Sequence, residues 1–84
     1  MTDTTSLLQR ITINPKVMVG KPVIAGTRLT VQHILGLLAQ GMTIADILAE
    51  YNKLTKEDIL ACLLFAMQAL DNTIFAPFQQ EKSV

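Results

Sequence analysis

Cysteine occurs once in the 84 residues, at Cys62. A single thiol excludes an internal disulfide and any multi-cysteine metal site, so the chain needs no oxidising compartment. Charge is scarce as well. Only 17% of the residues are charged, and seven of each sign leave a net charge of zero. That balance is not the signature of a strong nucleic-acid binder. Long apolar runs are also missing. The longest, ILACLLFAM from Ile59 to Met67, is too short to cross a bilayer. The start, MTDTTSLLQR, has neither the basic residues nor the apolar stretch of a signal peptide. A cytoplasmic protein without membrane contact is expected.

What is present is apolar. Half of the residues are hydrophobic, generous for a chain whose length allows one domain and a modest core. Apolar surface should remain once a monomer core is filled, and a homodimer or an obligate partner is the usual outlet. The few charges are unevenly spread. Residues 1–40 carry Arg10, Lys16, Lys21 and Arg28 against Asp3, a balance of +3. Residues 41–84 carry Lys53, Lys56 and Lys82 against six acids, a balance of −3. Such a polar molecule can meet phosphate with its N-terminal part, or pair head to tail.

Along the chain, residues 1–9 are rich in Thr, Ser and Asp and are expected to be disordered. RITIN (Arg10 to Asn14) alternates and is β-branched, a short strand ended by Pro15. KVMVGKPVI holds further short extended pieces broken at Gly20, and Ala25-Gly26-Thr27 reads as a turn, with Gly26 supplying a positive φ. Three helices follow. Thr30 caps the first, whose Val31, Ile34, Leu35 and Leu38 fall on one face, and Gly41 ends it. Thr43 starts the second in a capping box with Asp46, and Ile44, Ile47, Leu48 and Tyr51 repeat the same face. Thr55 starts the third in a second such box, running to about Leu70 or Asp71, with Glu57 and Asp58 in its first turn. Ile59, Leu60, Leu63, Leu64, Met67 and Leu70 are expected to close the core. Phe65 lies opposite, with Ala61, Cys62 and Ala69. The spacing from Thr43 to Thr55 is that of a helix-turn-helix. The domain thus spans 10–72, and 73–84 is a tail that packs back in part through Ile74, Phe75 and Phe78.

GKPVIAGTRLTV, followed by ILGLLAQGMTIADILAEYNKLTKEDILACLLFA, resembles the DUF433 family. The resemblance runs from about Ile11 to Leu70, and its most specific part is the glycine-threonine-arginine box. Two positions depart from the family pattern: Ala25 where many members have Arg, and Phe65 where Tyr is common. The resemblance implies a homeodomain-like three-helix fold behind an N-terminal β element, hence a mainly α protein. It also implies an antitoxin that binds DNA and blocks a PIN-like ribonuclease toxin.

The candidate residues follow from these elements. Gly20, Lys21 and Gly26 do not make a phosphate-binding P-loop, because the lysine precedes the second glycine instead of following it. Arg28 is expected as a bidentate tie to a carboxylate, with Asp46, Glu50 and Asp58 as candidates, or to helix-end carbonyls; a phosphate clamp or an anchor for an acidic partner is the rival role. Lys16 and Lys21 are the other phosphate candidates. In a helix-turn-helix, Asn52, Lys53, Thr55 and Lys56 stand where the recognition helix meets the groove. The third helix is apolar all round, so it should be buried on more than one side. Phe65, with Phe75 and Phe78, is expected at a homodimer or partner interface. His33 has no companion for a metal site, Cys62 sits among apolar neighbours, and the acids are scattered at helix starts. No catalytic residues, metal or cofactor are expected. The functional expectation is a DNA-binding, antitoxin-like regulator, with duplex DNA and a PIN-like toxin as possible partners. The alternative is a module that binds a toxin or another subunit and no DNA.

Overall fold

The computed structural model describes residues 4–71. Its elements run α1 (Thr4–Leu8), β1 (Ile11–Thr12), β2 (Val23–Ile24), α2 (Val31–Ala39), α3 (Ile44–Glu50) and α4 (Lys56–Asp71). The domain is mainly helical: three principal helices follow a small antiparallel hairpin in which Ile11 pairs with Ile24 and Thr12 with Val23. No helix among the described residues is long and apolar enough to cross a membrane.

Each principal helix starts where a threonine satisfies orphan amides. Thr30 Oγ1 accepts from the His33 amide at 3.0 Å. Thr43 and Asp46 form a reciprocal capping box, with both bonds at 3.0 Å. Thr55 and Asp58 form another, at 3.3 and 3.0 Å. The end of α2 is equally specific. Gly41 adopts φ +101°, its amide donates to Leu38 O at 3.0 Å, and the Met42 amide donates to Leu37 O at 3.1 Å. This paired closure uses the left-handed region that glycine enters without a Cβ penalty.

The core joins Ile24, Val31, Ile34, Ile47, Leu54, Ile59 and Cys62. Each fully buried aliphatic side chain contributes about 1.5–3 kcal/mol relative to exposure. Leu35 and Leu38 of α2, Ile44 and Leu48 of α3, and Tyr51 just past the end of α3 pack half-buried against this cluster, so the faces expected for these two helices are the faces that pack.

On α4 the expected face is largely the wrong one. Ile59 is buried, but so are Ala61 and Cys62, which were expected on the opposite side. Leu63, Met67 and Leu70 are 42%, 52% and 61% exposed. A helix with apolar residues on every side carries no phase in its periodicity. Small side chains at the contact let neighbouring helices approach, and α4 packs against α1, α2 and α3.

The N-terminal residues also differ from expectation. Thr4–Leu8 forms α1, which packs against α4 and buries Leu7. One leucine inserted into a tertiary contact outweighs the polar composition around it. Between β1 and β2, Met18 (φ +50°), Val19 (φ +56°, ψ +39°) and Gly20 (φ +77°) form a left-handed turn. Amides of Gly20 and Lys21 close it by donating to Val17 O and Met18 O, both at 3.1 Å. A β-branched residue in this region is an outlier, and Val19 is 92% exposed.

Candidate functional site

Ile24 to Thr30 form a tight loop closed by backbone bonds. The Ile24 amide donates to Leu29 O at 2.9 Å, and the Val31 amide to Pro22 O at 2.9 Å. Inside it, the Thr27 amide donates to Ile24 O at 3.0 Å, with Gly26 at φ +79°. Thr27 Oγ1 donates to the same carbonyl at 2.8 Å and accepts from the Leu29 amide at 3.0 Å. The glycine-threonine pair therefore builds a turn. Its product is Arg28, held at the tip and exposed to solvent.

The ion pair expected of Arg28 belongs to another arginine. Arg10 Nη1 lies 3.1 Å from Asp58 Oδ1, the one ion pair among the described residues. Arg10 precedes β1, and its carbonyl accepts from the Ala25 amide at 2.7 Å, so the hairpin itself carries it to the start of α4. Nothing in the spacing of residues 48 positions apart signals this contact. Arg28 is left without a carboxylate partner among the described residues. Asp58, one of the partners expected for Arg28, is buried and faces Arg10 instead.

The Arg28 loop stands beside the α3–α4 turn. Thr27 and Leu29 line a shallow concavity of about 220 Å³ together with Glu50, Tyr51, Asn52, Lys53 and Leu54. Asn52, Lys53, Thr55 and Lys56 are all exposed. The Thr55 hydroxyl is engaged in capping α4. His33 Nε2 and Tyr51 Oη are within hydrogen-bond distance at 3.0 Å, and the two rings meet edge to face. This contact fastens α2 to the end of α3.

Lys16 and Lys21 are exposed but stand apart from that cluster. Lys16 follows Pro15 in a turn where its amide donates to Asn14 Oδ1 at 2.9 Å. Lys21 edges a second, larger groove of about 600 Å³, lined by Pro22, Val31, Leu35, Phe65, Ala66 and Leu70 among others. Phe65 thus faces an open apolar groove between α2 and α4. Phe75 and Phe78 lie outside the described residues.

One acid and the single thiol are shifted by their surroundings. The Thr43 amide, and secondarily its hydroxyl, hold the Asp46 carboxyl below its usual range. Burial, reinforced by the charge of Asp58, pushes the Cys62 thiol up to about 11, so it is a packing residue and not a nucleophile. Among the described residues no group of three or more His, Cys, Asp or Glu side chains is placed to hold a metal.

Residues 11–66 match the model of a family described as DUF433, protein of unknown function. The chain belongs to the DUF433 family. A crystal structure of a DUF433 member protein from Anabaena variabilis ATCC 29413 is similar at a TM-score of 0.70 and 32% identity, over 80% of this chain and 67% of that one. No curated protein matches the chain. The DUF433 match contains β1, β2, α2, α3 and most of α4, with the Arg28 loop and the α3–α4 turn.

Proposed function

We propose that this DUF433 protein is a non-enzymatic, DNA-binding regulator of the antitoxin type. The observation that carries the reading is the loop that presents the exposed Arg28: its neighbours Thr27 and Leu29 line one concavity with Glu50, Asn52 and Lys53, and Lys56 is exposed just beyond that turn. Three cations at one end of a helix-turn-helix form a phosphate-binding edge. Asn52, on the wall of the same concavity, is a donor and acceptor for base or backbone. Arg10 supports the reading indirectly, because it neutralises Asp58, one of the two carboxylates in the first turn of α4; Glu57 remains to oppose phosphate there.

Few phosphates are engaged, so affinity is modest. With about three contacts, log K falls with log salt at a slope of about −3. The test is fluorescence anisotropy on duplex DNA from upstream of the protein's own coding sequence, over a salt series. Arg28→Ala, Lys53→Ala and Lys56→Ala should each weaken binding and flatten the slope by about one unit. No binding at low salt would overturn the reading.

A specific feature favours a second reading, a protein-interaction module that binds no DNA. The groove beside Phe65 is open, largely apolar and bordered by Lys21, which suits an apolar segment of a partner such as a PIN-like toxin. A stoichiometric complex with such a partner, together with no anisotropy change on DNA, selects this reading.

A further inference from the structure

We propose that the groove between α2 and α4 is the docking site of the chain's own residues 72–84, entered by Ile74, Phe75 and Phe78. Where the described residues end selects this occupant. Leu70 is on the groove wall, and α4 ends one residue later at Asp71, so the following segment starts at the groove's edge. A helix rises about 1.5 Å per residue, which puts Phe65 on that wall about 9 Å back from Asp71. An extended chain advances about 3.3 Å per residue, so Phe75 has a reach of about 13 Å and Phe78 of about 23 Å. The first is enough to return to Phe65. The second is enough to cross to α2, since packed helices lie about 8–10 Å apart. Asn72 directly follows α4 and enters the left-handed region of a helix stop, and Pro77 bars α4 from running on through Phe78.

The chemistry of the segment fits the groove. Asn72 to Gln80 carry no charge, so they enter an apolar wall without stranding one. The segment holds two of the chain's three phenylalanines, and the third, Phe65, faces the groove; aromatic rings pack favourably edge to face or offset. Glu81 comes next, the one acid of residues 72–84. Lys21, the charged residue on the groove's rim, has no carboxylate partner among the described residues. Tethering decides between this segment and the same segment of another molecule. Four residues separate Leu70 from Phe75, and so short a link gives an effective concentration of about 1 mM or more. The docking requires no DNA, and a partner's apolar segment would have to displace residues 72–84 to use the groove.

The chain has no tryptophan, so the full-length variants Phe75→Trp and Phe78→Trp each give one reporter. Both should emit at short wavelength and resist acrylamide quenching, equally at about 1 µM and about 100 µM, below the effective concentration of the tether. Adding Ala69→Glu or Ala66→Glu on the groove wall should shift emission to the red and raise quenching severalfold. Adding Met67→Glu, on the outer face of α4, should change neither. Ala69 and Met67 are exposed, so these two changes leave the helix intact, which circular dichroism checks. Red, freely quenched emission from either parent variant overturns the proposal. So does shielded emission that Ala69→Glu leaves unchanged or that Met67→Glu abolishes. Shielding that appears only at the higher concentration overturns it too, and assigns the groove to a neighbouring copy.

Discussion

Arg10 and Asp58 meet at 3.1 Å across 48 residues of chain, and the other oxygen of the same carboxylate accepts from the Thr55 amide at 3.0 Å. Asp58 thus caps α4 and fastens it to the hairpin. Its two roles predict unequal mutants. Asp58→Ala should cost about 2 kcal/mol, through loss of a cap and a charge-assisted bond. Arg10→Ala should cost about 1 kcal/mol or less, since the Arg10 side chain is 42% exposed and solvent screens the pair. Urea unfolding of both single variants and the double completes the cycle. The double should cost less than the sum; additivity within about 0.3 kcal/mol would show that the two do not interact.

Val19 offers a prediction of opposite sign. A β-branched side chain at φ +56° costs about 1–2 kcal/mol relative to a right-handed conformation. The side chain is exposed and buries little in return. Val19→Gly removes that strain and gives back roughly 0.5–1 kcal/mol of chain entropy, so a gain of about 0.5–1 kcal/mol remains. At about 4–8 °C per kcal/mol for a domain of this size, melting should rise by a few degrees. Val19→Pro, which cannot reach positive φ, should lower it. A fall in melting temperature with glycine would contradict the left-handed turn.

Asp46 sets an acid limb. Its folded-state carboxyl is held below its ordinary value of 3.8 by the Thr43 bonds. A depressed group contributes stability that is full above the unfolded value and is lost as pH falls through the folded one. Melting temperature measured downward from pH 5 should therefore begin to fall near pH 4, and Asp46→Asn should reduce the slope of that limb. An identical acid limb in the variant would remove Asp46 as a contributor.

The caps of α2, α3 and α4 are legible because each depends on residues three positions apart: Thr30 with the His33 amide, Thr43 with Asp46, Thr55 with Asp58. Gly41 is legible for the same reason, since the left-handed closure is a local demand. The contacts that escape the sequence are long-range or carry no residue signature. Leu7 is one leucine in a polar stretch, and only the packing of α1 on α4 gives it a place. Met18 and Val19 have no preference for positive φ, so nothing announces their turn. Arg28 and Arg10 look alike in sequence; the hairpin pairing decides which one reaches Asp58. The face of α4 is illegible because leucine, alanine, cysteine and methionine surround it.

Arg10 touches the fold at both of its ends. Its carbonyl holds the loop that presents Arg28, and its guanidinium holds the start of α4 beside Lys56. One residue therefore works as a ruler between two outward-facing cations. Any ligand that grips both meets a span already set during folding, so little freedom is surrendered on arrival.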